Sequence, residues 1–309
     1  MRVWLGSGQQ PDWPDGTAVT IGNFDGVHCG HRHILMRLRQ EAGQRGLSSV
    51  VMMFEPQPQE FFAQQAGKTL PFRLTPLRDK LDLLAASGCV DAVYVVRFNQ
   101  QFAAMQPMDF ISQMLVKHLH TRYLLVGDDF RFGTRRSGDF TLLQSQNEFV
   151  TEHTPSIVVE DVRASSTAVR MALASGNLAY AQLLLGHEYT LSGRVKHGAK
   201  LGRELGCPTA NVHLPALHYA LNGVFVVDVS GAFGRKRGVA SFGKNPTVSS
   251  GSLQKLEVHI FDCEDDLYGQ RLQVHFLHKL RDELKFESLA VLQTQIFADM
   301  EAARIWQAA

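Results

Sequence analysis

The sequence predicts an α/β domain built on a parallel sheet, followed by an antiparallel β-barrel or sandwich closed by one helix. Three observations carry this. Apolar β-branched runs alternate with helical patterns as far as Gly186. From Tyr189, short β-like runs follow one another with turn signals and no helix between them. A single amphipathic helix ends the chain. Strands alternating with helices build parallel sheets, because a parallel neighbour is reached only through a crossover. Short, closely spaced strands build barrels or sandwiches.

The first element is Ala18 to Ile21, an apolar strand broken at Gly22. The stretch Asn23-Phe24-Asp25-Gly26-Val27-His28-Cys29-Gly30-His31 then leads into a helix with Ile34, Leu35, Leu38 and Ala42 on one face. Ser49 to Phe54 is a continuous apolar run, as in a strand buried on both faces. Glu55-Pro56-Gln57-Pro58 ends it, since proline cannot extend the ladder. Thr75 to Ala86 is helical, Asp91 to Phe98 a strand, Met108 to His118 a helix and Tyr123 to Val126 a fourth strand. Ser156 to Glu160 reads as a fifth. Two short helices follow: one opened by Ser165-Ser166-Thr167, and one running from Asn177 to Leu185 and closed by Gly186. The later strands are Tyr189–Val195, Gly223–Val229, Arg237–Phe242, Leu256–Phe261 and Gln270–Phe276. The final helix presents Leu289, Leu292, Ile296, Met300 and Ala303 on one face. The texture change sets the domains at 1–186 and 187–309.

A net charge of +1 and 20% charged residues favour neither nucleic acid nor an anionic membrane as partner. Cys29, Cys89, Cys207 and Cys263 form no C-x-x-C pair and read as free thiols in a reducing compartment. The first 16 residues lack the apolar core of a secretory signal, and no run has the length of a membrane span. The expectation is a cytoplasmic protein, taken as a monomer by default.

His28 and His31 stand three residues apart where a glycine-broken turn enters a helix. Backbone N–H groups and a helix N-terminus there favour an anion. Imidazoles can donate to phosphate oxygens as charge builds on them. Gly30 leaves room for close approach to the backbone. No third ligand stands at helical spacing, which argues against zinc. Gly127-Asp128-Asp129-Phe130-Arg131-Phe132-Gly133 follows the fourth strand. Its rings can stack on a planar ligand while its acids read polar edges; equally, Phe130 and Phe132 can return to the core. Ser165 to Arg170 opens a helix that suits phosphate, or is a capped helix with a surface arginine. Gly193 to Arg203 is a cation- and glycine-rich run, either covering phosphates or solvated, and is not a P-loop. In Pro208-Thr209-Ala210-Asn211, an extended backbone points Thr209 and Asn211 the same way, as two neutral oxygen ligands for Mg²⁺. Glu257 and His259 share one face of an alternating strand with Phe261, opposite Leu256, Val258 and Ile260.

Taken together, these motifs resemble the bacterial bifunctional riboflavin kinase/FMN adenylyltransferase family over nearly the whole chain. The H-x-G-H of His28 to His31, Gly127 to Gly133 and Ser165 to Arg170 are similar to its adenylyltransferase motifs. Gly206 to Asn211, Lys244 to Val248, Glu257 to His259, Asp266 to Gly269 and Leu280 to Phe286 are similar to its flavokinase motifs, in order. Family members carry His where this chain has Gln57, and commonly Phe where it has Cys207. The resemblance implies a Rossmann-like nucleotidylyltransferase domain, then a flavokinase β-barrel with a closing helix. It implies riboflavin, FMN and ATP as substrates, FMN and FAD as products, and Mg²⁺ with the ATP. His28, His31 and Glu257 would be catalytic. Gly22, Phe24, Asp25, Gly30, Ser166, Thr167, Arg170, Gly193, Lys200 and Gly202 would bind ATP or phosphate. Asp128, Asp129, Phe130, Arg131, Phe132 and Arg281 would bind flavin, and Thr209 and Asn211 the metal. Two rival readings are a flavin- or RNA-binding protein using Lys196, Lys200, Arg203 and Arg235-Lys236-Arg237, and a nucleotidylyltransferase for another phosphate ester with an inert barrel. The basic clusters lack interleaved aromatics, and a binder needs neither Glu257 nor the histidine pair.

Overall fold

A computed structural model of the chain describes residues 1–6, 12–127, 129–155, 157–198, 202, 205–243 and 254–307. It divides into two compact units: Met1–Pro71 with Lys80–Ala164, and Phe72–Asp79 with Ser165–Ala309.

The first unit is built on a six-stranded sheet, parallel throughout. Its strands are β1 (Arg2–Leu5), β2 (Thr17–Ile21), β3 (Ser48–Glu55), β4 (Ala92–Arg97), β5 (Thr121–Gly127) and β6 (Val150–Thr154), in the order β1-β4-β3-β2-β5-β6. Successive side chains alternate faces. Val19, Ile21, Met52, Tyr94, Leu124 and Val126 therefore pack on one side, with Phe110, Ile111 and Leu115. Ala18, Tyr123 and Leu125 pack on the other, against Leu38 and Ala42 of helix α1 (Cys29–Arg45). Both faces are covered, which is why these strands read as continuous apolar runs.

Further helices are α2 (Pro58–Gln65), α3 (Leu77–Ala86), α4 (Gln100–Ala103), α5 (Pro107–Asp109) and α6 (Phe140–Gln144). The helix expected over 108–118 is α5 followed by a π-helical stretch, Phe110–His118. The strand expected at Ser156–Glu160 is corrected: Ser156 lies outside the described residues. Val158–Val159 (β7) pairs antiparallel with Val162–Arg163 (β8) in a separate hairpin. The sheet is completed instead by β1 and β6, whose exposed residues break the apolar pattern.

In the second unit, helices α7 (Ser166–Ala174) and α8 (Leu178–Leu185) precede a closed barrel. Ser165 Oγ accepts from the Ala168 N–H, Asn177 Oδ1 accepts from the Tyr180 N–H, and Gly186 closes α8 in the left-handed region. The barrel strands are β9 (Tyr189–Lys196), β10 (Ala210–His213), β11 (Gly223–Gly231), β12 (Gly234–Gly243), β13 (Lys255–Ile260) and β14 (Arg271–Arg281). They close in the order β10-β13-β12-β11-β14-β9 with antiparallel neighbours throughout. Tyr219, Phe225, Phe242 and Phe276 pack ring against ring within the core, tilted or edge-on. The last helix, α9 (Leu289–Ile305), covers Val224, Val226 and Val239 with Ala303 and Met300. The segment Phe72–Asp79 is part of this unit: Arg73 N–H donates to the His218 carbonyl, and Tyr189 Oη to that of Leu74.

Candidate active sites

In the first unit, strand order reverses at β2: β3 and β4 lie to one side of it and β5 to the other. Ligands of open parallel sheets bind in the crevice beyond the strand ends at such a point. The loops leaving β2 and β5 carry the two motifs expected to face that crevice.

After β2 the backbone turns through Phe24, Gly26 and Val27, with φ of 48°, 82° and 44°. The two non-glycine values are strained conformations held by burial of both side chains. Asp25, between them, is 1% exposed. His28 is the N-cap of α1, and its Nδ1 accepts the His31 N–H at 3.4 Å. In the neutral ring the His28 proton is therefore on Nε2. The two rings stack at 3.7 Å between centroids, and Phe24 lies 4.8 Å from His31. Burial holds the His31 pKa well below its ordinary value, helped by His28 and Lys80. Among the described residues, His31 Nδ1 is buried with no hydrogen-bond partner. Gly22 packs against the Phe24 ring. The space expected beside Gly30 for a ligand is filled: a Cβ there would meet the Ala164 carbonyl at 3.1 Å and the His28 ring at 3.2 Å. Gly30 serves this site by admitting the His28 ring.

Beyond β5, Asp128 lies outside the described residues. Asp129 pairs with Arg163 at 3.4 Å on the surface, and Arg131 with Asp139 at 3.2 Å. Phe130 and Phe132 stack, with centroids 5.7 Å apart, and Phe132 is buried against Phe110. Phe132 is thus a core residue, while Phe130 is partly buried beside it.

Ser166, Thr167 and Arg170 occupy the first turns of α7, within the second unit. The hydroxyl that caps this helix is that of Ser165.

The barrel carries a cavity of about 640 Å³ whose walls include Gly202, Cys207, Thr209, Glu257, His259 and Arg281. On β13, Leu256, Val258 and Ile260 are buried, and Glu257 and His259 are half-buried on the opposite face. Among the described residues the Glu257 carboxylate has no hydrogen-bond or ion-pair partner. Asn211 lies opposite Glu257 in the β10–β13 register. Ala210 is buried, and Thr209 and Asn211 flank it on the other side of the extended chain. Gly202 presses on this turn: a Cβ there would come within 3.1 Å of Thr209 Oγ1. Two neutral oxygens beside a carboxylate fit a hard divalent cation that brings other ligands of its own. Burial pushes the Cys207 thiol up to about 11, so it stays protonated.

One sequence expectation for this half is corrected, and others meet new contacts or lie outside the described residues. Gly193 is within β9 rather than a loop, and a side chain there would collide with the His213 carbonyl, so barrel packing explains it. Lys200 and the 244–248 motif lie outside the described residues. Arg281 lines the cavity, but its Nε and Nη2 fork onto Asp299 and its Nη1 donates to the Asp282 carbonyl. His259 Nδ1 lies 2.8 Å from the Pro208 carbonyl, a contact the sequence did not indicate. The available signal was the position of His259, two residues after Glu257.

Fold and sites together define a transferase of two centres, one on a nucleotide-binding α/β sheet and one on a barrel. Residues 10–168 match the family described as FAD synthetase, and residues 185–307 the family described as riboflavin kinase. Three curated relatives are each described as "Bifunctional riboflavin kinase/FMN adenylyltransferase". The one from Escherichia coli (strain K12) is 50% identical over 94% of this chain and 92% of its own. That of Haemophilus influenzae is 46% identical, over 94% of each chain. That of Pseudomonas fluorescens is 44% identical, over 94% of this chain and 92% of its own. The chain belongs to the bifunctional riboflavin kinase/FMN adenylyltransferase family. A solved structure from Streptococcus pneumoniae, titled a macrolide-efflux protein, superposes with a TM-score of 0.82 at 30% identity, over 99% of this chain and 100% of that one. Among the described residues of the present chain, no helix is long and apolar enough to cross a membrane.

Proposed function

We propose that the chain makes FAD from riboflavin in two ATP-dependent steps, one on each half. The division is set at 1–186 for adenylyl transfer to FMN and 187–309 for phosphorylation of riboflavin. The observation that carries this reading is the meeting, in one barrel cavity, of Thr209 with the Glu257 carboxylate, which has no partner among the described residues. A sheet-end histidine pair in the other unit supports the second activity.

In the barrel, Glu257 accepts the proton of the riboflavin 5′-hydroxyl as that oxygen attacks the γ-phosphorus of ATP. The bond to the β,γ-bridging oxygen breaks, giving FMN and ADP. Thr209 and Asn211 would hold Mg²⁺, which would supply positive charge to offset that of the transferring phosphates. Gly202 lets the backbone close over the nucleotide. In the first unit the FMN phosphate attacks the α-phosphorus of a second ATP, and pyrophosphate leaves. His28 and His31 are the preorganised donors to the charge that develops there. A neutral His31 still carries one ring N–H with which to donate. Gly22, Phe24 and Asp25 shape the loop that carries them, and Ser166, Thr167 and Arg170 belong to the nucleotide-binding set. Asp129, Phe130 and Arg131 are the flavin-side residues. FMN and FAD are substrate and product, not resident redox cofactors. The reading includes a monomeric, cytoplasmic enzyme with no nucleic-acid or membrane partner, supported by composition and four free thiols.

The test is incubation with ATP, Mg²⁺ and riboflavin, followed by chromatographic separation of flavins. FMN and FAD should both form. Binding of riboflavin with no turnover would return the chain to the class of flavin binders, and FAD formed only from added FMN would leave the barrel inert.

A further inference from the structure

His259 lies on the same side of β13 as Glu257 and lines the same cavity. Its Nδ1 meets the carbonyl of Pro208 at 2.8 Å, across 51 residues of sequence. A carbonyl only accepts, so Nδ1 carries the proton. The ring is steadied edge-on by Phe261, with centroids 5.4 Å apart. Pro208 has no N–H to donate, and β10 begins only at Ala210. Thr209 therefore sits between a residue that cannot donate and a strand that has not started. On its N-terminal side the turn is held by the His259 bond to Pro208 and, one residue earlier, by the Cys207 N–H to the Gly202 carbonyl at 2.7 Å; of the two, the His259 bond acts on the peptide next to Thr209.

We infer that His259 is a positioning residue of the kinase centre: its Nδ1–H pins the Pro208 carbonyl, orients the Pro208–Thr209 peptide and so aims the Thr209 hydroxyl into the cavity that Glu257 faces. This rests on the kinase reading of that cavity. One rigid strand then carries both the proton acceptor and the pin of a metal ligand, which fixes their separation. His259 itself touches no reacting atom. Losing the pin loosens Thr209 and weakens use of the Mg²⁺–nucleotide, while proton transfer to Glu257 is left in place.

The test uses the full chain. His259→Phe keeps the ring volume and removes the donor; His259→Asn places an amide N–H near the position of Nδ1. The Phe variant should need about five- to tenfold more Mg²⁺ for half-maximal riboflavin phosphorylation, the scale of one lost hydrogen bond. Its kcat at saturating Mg²⁺ should stay near the parent's, and the Asn variant should behave like the parent. FMN-to-FAD turnover should not change in either. A Phe variant with the parent's Mg²⁺ dependence, or an Asn variant as impaired as the Phe variant, overturns the inference. If the Phe variant does not fold, long-range ¹H–¹⁵N spectra of the parent decide instead. A His259 ring protonated on Nδ1 supports the pin, and a ring protonated only on Nε2 overturns it. Should the parent make no FMN, the kinase reading fails, and the spectra still decide the Pro208 bond separately.

Discussion

The guanidinium of Arg281, at the end of β14, is forked onto the carboxylate of Asp299 in α9, with Nε–Oδ1 and Nη2–Oδ2 distances of 3.0 and 2.7 Å. Gln295 adds a third donor to Asp299 at 2.9 Å, and Phe286 lies under the guanidinium at 5.7 Å. Arg281, Phe286 and Asp299 all line the barrel cavity. This pair therefore joins the cavity's lip to the helix that forms its wall.

Asp299 is buried and Arg281 partly so, and removing one partner of such a charged hydrogen-bonded pair costs about 1–3 kcal/mol. Asp299→Ala should lower the melting temperature of the chain and raise the riboflavin KM of the kinase step. The double variant Arg281→Met/Asp299→Leu should recover most of the stability and little of the KM. Equal melting temperatures for parent and Asp299→Ala, by calorimetry, would refute the clamp.

His28→Ala or His31→Ala should abolish FAD formation and leave FMN formation intact. Loss of a preorganised donor to developing phosphate charge costs about a hundred- to a thousandfold. Flavin chromatography separates the two products. A His31→Ala enzyme making FAD at the parental rate would remove the pair from the chemistry.

The depressed pKa of His31 carries a pH dependence. Unfolded, the imidazole takes up a proton near its ordinary value of 6.5; folded, it does so only well below that. Between those two values the unfolded state binds the extra proton, so stability falls as pH drops below about 6.5. Urea midpoints at pH 7 and pH 5.5 should differ more for the parent than for His31→Gln, which cannot titrate. Identical differences would mean that His31 charges freely in the fold.

Glu257→Gln should cut riboflavin-to-FMN turnover by on the order of a hundredfold or more, with FMN-to-FAD conversion unchanged. Thr209→Ala should also lose kinase activity, partly restored by excess Mg²⁺. Parental kinase turnover in Glu257→Gln would show that the proton leaves by another route.

Asp79, 6% exposed, ties the 72–79 segment to the barrel unit: it accepts from the Ser192 N–H at 2.9 Å and from Arg271 at 2.9 Å. A chain of residues 187–309 lacks this carboxylate and leaves Arg271 without it. It should fold and phosphorylate riboflavin, but melt below the barrel transition of the full chain. Asp79→Ala in the full chain should lower that transition too. Unchanged transitions in both, by calorimetry, would make the segment passive.

What the sequence determined by itself was local. Ser165, Asn177 and Gly186 act on backbone groups within four residues, so the ends of α7 and α8 were legible. The β2–α1 turn and the alternation on β13 were legible because chain direction and side-chain period are set by adjacent residues. The motifs were legible because their chemistry depends on fixed short spacings. What only the tertiary structure decided was pairing at a distance. Edge strands β1 and β6 belong to the sheet through their neighbours, not through their own exposed residues. Phe132 is a core ring because Phe110 meets it, and Gly193 is required because a strand crosses there. That Asp299 holds Arg281, and that His259 meets Pro208, only the fold shows. Closing the barrel fixes those contacts, because the free energy of each depends on desolvation and on partners far away in the chain.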